Sequence, residues 1–243
     1  IYALAEDQNF ISNITTLVEM FGTKLWNRGV EFVKNSNLSN PDDRPLYWSR
    51  LKMGVILKSL PFFQGGVSNS SLDDLVIKFE EKSRNYNGID FNSSTNQSYA
   101  AAYLANPNIR KVLVTGFDPF FLYEKFRPKQ HNLLQSNPSG CCALSMHNTV
   151  TDNGKAFVQT MIVPVRYEDF DGKKDNKYGY GEGIIEKYIG VLLNNVHMVV
   201  TLSQALPGQY NIDKYATATR GGTIDNKLFT RERKTDRSID ITG

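Results

Sequence analysis

Apolar residues recur at spacings of three, four and seven from Phe10 to Val33, through Ile11, Ile14, Leu17, Val18, Phe21, Leu25, Phe32 and Val33. That spacing predicts a helix with one buried face, and Gly22 is the candidate break within it. Tyr47 to Leu60 repeats the pattern through Trp48, Leu51, Val55 and Leu60. A third helix is predicted over Ser71 to Arg84, where Ser-Ser-Leu-Asp-Asp supplies a capping hydroxyl and first-turn carboxylates that suit the helix dipole. Polar stretches rich in Asn, Ser, Gly and Pro separate these segments, and Asn85 to Ser98 reads as loop. Residues 1–105 are therefore expected to form an all-helical N-terminal region.

The pattern changes at Lys111. Lys-Val-Leu-Val-Thr-Gly-Phe is a compact, β-branched run that predicts a buried strand, and Ala156 to Val165 and His197 to Ala205 are two more. One helix is predicted between the first two strands, opened by Asn137-Pro138-Ser139-Gly140 and running to about His147. Another, from Gly181 to Asn195, lies between the second and third and faces Ile184, Ile185, Tyr188, Ile189 and Leu192 one way. Strand, helix, strand, helix, strand predicts an α/β fold over residues 110–243, an open, mainly parallel sheet flanked by helices. Its ligand is expected where the strands end, on the loops after Phe117 and Ser203.

Composition narrows the function classes. The 243 residues are 40% hydrophobic and 22% charged, in the range of folded globular chains. A net charge of +3 is too balanced to imply a nucleic-acid partner, and the cluster Arg231, Arg233, Lys234 and Arg237 alternates with polar and acidic residues as a solvated surface does. No apolar run has the length of a membrane span, and the first ten residues lack a basic leader with an apolar core, which favours the cytoplasm. Cys141 and Cys142 are adjacent, so no disulfide framework is expected; inside a helix they read as small buried hydrophobes. His131, His147 and His197 read as structural or exposed. No His, Cys or carboxylate cluster has ligand spacing, so no metal and no cofactor is expected.

Two loops carry candidate chemistry. Thr115 to Phe121, TGFDPFF, puts aromatic rings just after a buried strand, where they either clamp a small flat ring or cap the core. Ser203 to Asp213 follows another strand, with Gln204 able to donate and accept hydrogen bonds to an amide-like ligand.

Together with Asn137 to Ser139, Val163-Pro164-Val165, Asp213, Ala216 and Asp225-Asn226, taken in this order, the two loops resemble the pyroglutamyl-peptidase I family over about residues 111–243. The resemblance implies a cysteine peptidase that removes N-terminal pyroglutamate from peptides. In it a thiolate attacks the carbonyl, an imidazole moves the proton and an acid orients the imidazole. On this resemblance Phe117 and Phe120 pack on the pyrrolidone ring, Asn137 and Gln204 fall on pocket-forming motifs, and Asp213 takes the position of the catalytic glutamate. The family's Cys and His are expected beyond residue 243. The fragment itself is then expected to be inactive, and homo-oligomerisation is left open. The rival reading is a binding or scaffolding protein that keeps the fold without the chemistry. A weaker one is another enzyme on a similar sheet, such as a nucleoside phosphorylase, with Arg220-Gly221-Gly222 as its faint phosphate loop.

Overall fold

The computed structural model describes residues 8–36, 41–59, 69–120, 122, 133–171, 174–175, 179–180, 182–205, 208, 210–213, 215–217, 224–229 and 238–240. His131, Arg220 to Gly222 and the basic cluster from Arg231 to Arg237 lie outside the described residues.

The N-terminal region is helical: α1 spans Gln8–Asn35, α2 Arg44–Lys58, α3 Asn69–Ser83 and α4 Gln97–Ala105. α1 runs unbroken through Gly22. A side chain there would place its Cβ 2.7 Å from the Cβ of Lys82 and 3.0 Å from the carbonyl oxygen of Phe79, so the glycine marks the close approach of α3 rather than a break. The buried face of α1 carries Ile14, Val18, Trp26 and Val33, whereas Phe21 and Phe32 are each 48% exposed. On α2 the expected face is also displaced. Trp48 and Val55 are exposed, and the helix buries Leu46, Tyr47, Arg50 and Leu57 instead.

The fold is α/β, with a mostly parallel four-stranded open sheet. β1 (Arg110–Phe117) is central, β3 (Ala156–Val163) and β6 (Met198–Thr201) pair parallel to it on either side, and β2 (Thr149–Thr151) adds antiparallel to β3. β2 was not expected from the pattern, because three residues between turns are too few to show a period. Beyond β2, the outer edge of β3 is covered by the end of α3's chain. Ile162 N donates to the Arg84 carbonyl at 3.2 Å, and Asn85, in the left-handed conformation at φ 64, donates from Nδ2 to the Thr160 carbonyl at 2.8 Å.

Alternate residues of the strands feed the two faces of the sheet. Val114, Val158 and Ile162 join Ala143 and Leu144 of α5 (Pro138–Met146) and Trp26, Val33 and Leu46 of the N-terminal helices in one core. Leu113, Met161 and Val163 join Tyr86, Tyr188 and Ile189 in the other. The N-terminal helices thus share a core with the sheet. The crossover before β6 is helical as expected, but as a π turn, Ile185–Ile189, running into a 3-10 segment, Gly190–Asn195. Short elements complete the chain: α6 (Tyr167–Asp171) and the two-stranded pairs β4 (Lys174–Asp175) with β5 (Gly179–Tyr180) and β7 (Tyr215–Thr217) with β8 (Ser238–Asp240).

Candidate functional site

The helix after β1 packs on one face of the sheet and the crossover after β3 on the other, so the chain departs in opposite directions from two neighbouring parallel strands. At the carboxyl ends of these strands the loop after Phe117, the start of α5, the chain after Val163 and the pair Asp225-Asn226 come together. Asn226 joins the two strand ends: its backbone N donates to the Val165 carbonyl at 2.9 Å, and its Nδ2 donates to the Pro119 carbonyl at 2.8 Å. Asp225 anchors the turn by accepting from the backbone N of Tyr167, Lys227 and Phe229.

Asp118, two per cent exposed, sits at the centre of this edge. Arg50 Nη1 lies 2.8 Å from its Oδ1 and Arg84 Nη1 2.7 Å from its Oδ2. Arg84 Nε also meets Glu80 Oε2 at 2.6 Å, and Arg166 Nη2 meets the same oxygen at 3.2 Å. Burial alone would raise the Glu80 pKa, but Arg84, Arg166 and Arg50 outweigh it and hold the carboxyl at about 2. Sequence reading found Asp118 only as part of an aromatic loop, and it missed Arg50, Glu80, Arg84 and Arg166. The one signal available was an arginine on the apolar face of a helix.

Of the residues expected to bind substrate, Phe117 lies at this edge with its ring stacked on Phe170, centroids 6.1 Å apart, and Phe120 is half-buried two residues beyond Asp118. Asn137 caps α5. Its Oδ1 accepts from Ser139 N and Oγ, and its Nδ2 donates to the Asp118 carbonyl at 2.8 Å, so the amide holds the loop to the helix. Gln204 follows β6, which runs beside β1 and is continued by Leu202 N donating to the Thr115 carbonyl at 2.8 Å. Gln204 and Phe117 therefore leave the sheet at the same edge. The Gln204 Oε1 atom is out of solvent and has no hydrogen-bond partner among the described residues. Asp213 is exposed.

Neither Cys141 nor His147 has the surroundings of a reactive pair. Burial, with Asp43 beside it, pushes the Cys141 thiol up to about 12, opposite to what a nucleophile needs. Burial and the neighbouring Lys34 lower His147 to about 4; its ring meets Trp26 edge-on at 5.3 Å and its Nδ1 accepts from Thr160 N at 3.3 Å. Cys142 is exposed, and His197 Nδ1 accepts from Lys111 N at the far end of β1. Among the described residues there is no group of three or more His, Cys, Asp or Glu side chains able to hold a metal ion, and no helix long and apolar enough to cross a membrane.

A family model described as PA0049, C-terminal domain, matches residues 111–241, more than half of the chain. The chain belongs to the PA0049 family. The model described as PA0049 N-terminal domain matches residues 3–80. Arg84, which clamps Asp118, comes from the segment between the two PA0049 matches. No curated protein and no solved structure matches the chain.

Proposed function

We propose that this PA0049-family chain carries a pyroglutamyl-peptidase-like α/β unit whose sheet edge receives the N-terminal pyroglutamate of a peptide. The observation that carries the reading is the convergence of separate sequence landmarks on one edge. Asn137 hydrogen-bonds the Asp118 carbonyl and Asn226 hydrogen-bonds the Pro119 carbonyl and the Val165 carbonyl, so TGFDPF, NPS, VPV and DN meet there. In this reading the lactam ring packs against Phe117 and Phe120, and Gln204, with an unpartnered Oε1, accepts from the lactam N–H. Peptide release then requires a thiolate to attack the pyroglutamyl carbonyl, an imidazole to protonate the leaving amine, and water to free the acyl group.

A second reading, a binding protein on the same fold, is favoured by a specific observation. Arg50, Arg84 and Asp118 at this edge are buried and paired with one another, and Cys141 and His147 stand in buried structural positions.

The test is to titrate the full-length protein with a short peptide beginning in pyroglutamate and with the same peptide beginning in glutamine, and to follow amine release from a pyroglutamyl chromogenic amide before and after thiol alkylation. Selective binding with alkylation-sensitive release is the expected result for a peptidase. Selective binding without release supports the second reading. Equal binding of both peptides, or none, removes the pyroglutamate assignment.

A further inference from the structure

Asp43 stands at the start of α2 and is four per cent exposed. It does not cap its own helix. Its Oδ1 instead accepts from the backbone N of Asn137 at 3.0 Å, tying α2 to the start of α5. Its Oδ2 is buried, has no hydrogen-bond partner among the described residues and presses on Gly140, where a Cβ would lie 2.5 Å from Oδ2 and 2.6 Å from the Phe117 carbonyl oxygen. Only a glycine admits this contact.

The charged groups around Asp43 do not neutralise it. Asp118, from the β1 loop, is held by Arg50 and Arg84; Asp42, next in the chain, is paired with Arg44 at 2.6 Å, and Arg44 also donates to the Leu134 carbonyl. Cys141 of α5 contributes a thiol, and α1 meets this part of α2 through apolar contacts of Gly29 and Trp26 with Leu46. Among the described residues Asp43 has no ion-pair partner. A buried carboxylate with one accepted hydrogen bond, a lone second oxygen and Asp118 nearby is a poorly satisfied ion, whereas the neutral acid is tolerated.

We propose that Asp43 is a pH-responsive latch, holding the start of α2 against the start of α5 while its carboxyl is protonated and releasing it on ionisation. Burial first, opposed by the Asn137 N–H bond and aided by Asp118, raises the carboxyl to about 7, so the switch falls at neutrality. Because α2 carries Tyr47 and Arg50, whose hydroxyl and guanidinium reach Asn226 and Asp118, release at Asp43 loosens this edge of the sheet.

The sign follows from linkage. The open form ionises near the ordinary carboxylate value and the closed form near 7, so opening becomes easier as pH rises between these values and levels off above. Amide exchange of Asn137, corrected for intrinsic rate, should lose protection by about tenfold per pH unit between pH 5 and 7, while the core amide of Met161 changes less. Asp43→Asn should flatten the Asn137 profile. A flat profile in the unsubstituted protein, an unchanged slope in Asp43→Asn, or a parallel slope at Met161 overturns the latch. The Asp43 carboxyl carbon, titrated by NMR in the unsubstituted protein, gives a test independent of any variant: a midpoint near 7 supports the proposal and one near 4 overturns it.

Discussion

Arg50 reaches from α2 into the loop after β1 and places its Nη1 2.8 Å from Oδ1 of Asp118, with both side chains at least 97% removed from solvent. The pair joins the helical N-terminal region to the edge of the sheet where the candidate site lies. Arg50 also donates from Nη2 to the Ser83 carbonyl at 3.0 Å, which brings α3 into the same joint.

Removing one member of this joint leaves the others buried and unneutralised. Arg50→Ala is expected to lower unfolding free energy by about 3–5 kcal/mol, and Asp118→Ala by at least as much, since it strands two guanidiniums. Urea denaturation followed by circular dichroism measures this. A loss below about 1 kcal/mol for both, the range of exposed pairs, would contradict the burial.

Glycine contacts give a second expectation, opposite to helix propensity. Alanine at 22 would favour an isolated α1 by about 1 kcal/mol, yet its Cβ meets the α3 backbone oxygen of Phe79 at 3.0 Å. Gly22→Ala should therefore destabilise, by about 1–3 kcal/mol, whereas Gly54→Ala, with open space around it, should stabilise. Thermal melts of the two variants should shift in opposite directions.

Two buried groups oppose each other in their pH dependence. His147 is depressed to about 4, so the unfolded chain binds its proton first and stability is lost as pH falls from about 6.5 toward 4. Asp43 is raised to about 7, so its contribution is present at low pH and lost as pH rises from about 4 to 7. Over the shared window the two slopes cancel, and global stability should vary little. Asp43→Asn should unmask a rise with pH and His147→Phe a fall, each approaching 1.4 kcal/mol per pH unit. Below that window the paired Glu80, held at about 2, adds a further loss of stability as pH falls from about 4.5. Denaturant midpoints between pH 4 and 7 would refute the compensation if either variant tracked the unsubstituted protein.

Gln204 separates binding from folding. Its Oε1 has no partner among the described residues, so Gln204→Met should leave stability unchanged or slightly raised. If the pyroglutamate reading holds, the same variant should weaken the pyroglutamyl peptide at least tenfold. Calorimetric titration beside a melting curve checks both, and unchanged affinity would take Gln204 out of the site.

Much of the architecture could be read from local pattern. The runs at Lys111, Ala156 and His197 become the three parallel strands; β3 and the middle of β1 are buried, as a continuous apolar run implies, whereas β6 is not, with Met198 57% exposed. The apolar face of α2 could not be read so. Trp48 and Val55 look like core in a window of fifteen residues but are 38% and 65% exposed, while Arg50 is buried. The reason is its partner, Asp118, which lies 68 positions further along the chain, beyond the reach of any periodicity. The candidate site shows the same limit: its aromatic loop and Asn137 were visible as motifs, but the arginines that fix them come from helices whose sequence advertises only packing.

The bonds of Asn226 reach back 107 positions to Pro119 and 179 to Tyr47, so the knot at the sheet edge is tied by residues made long after the strands it fastens. A nascent chain that has emerged only as far as residue 220 already possesses β1, β3 and β6 but not the amide that joins the ends of β1 and β3. Assembly of this edge is therefore a late event, ordered by synthesis itself, and until it occurs the growing polypeptide presents an unfinished sheet edge to its surroundings.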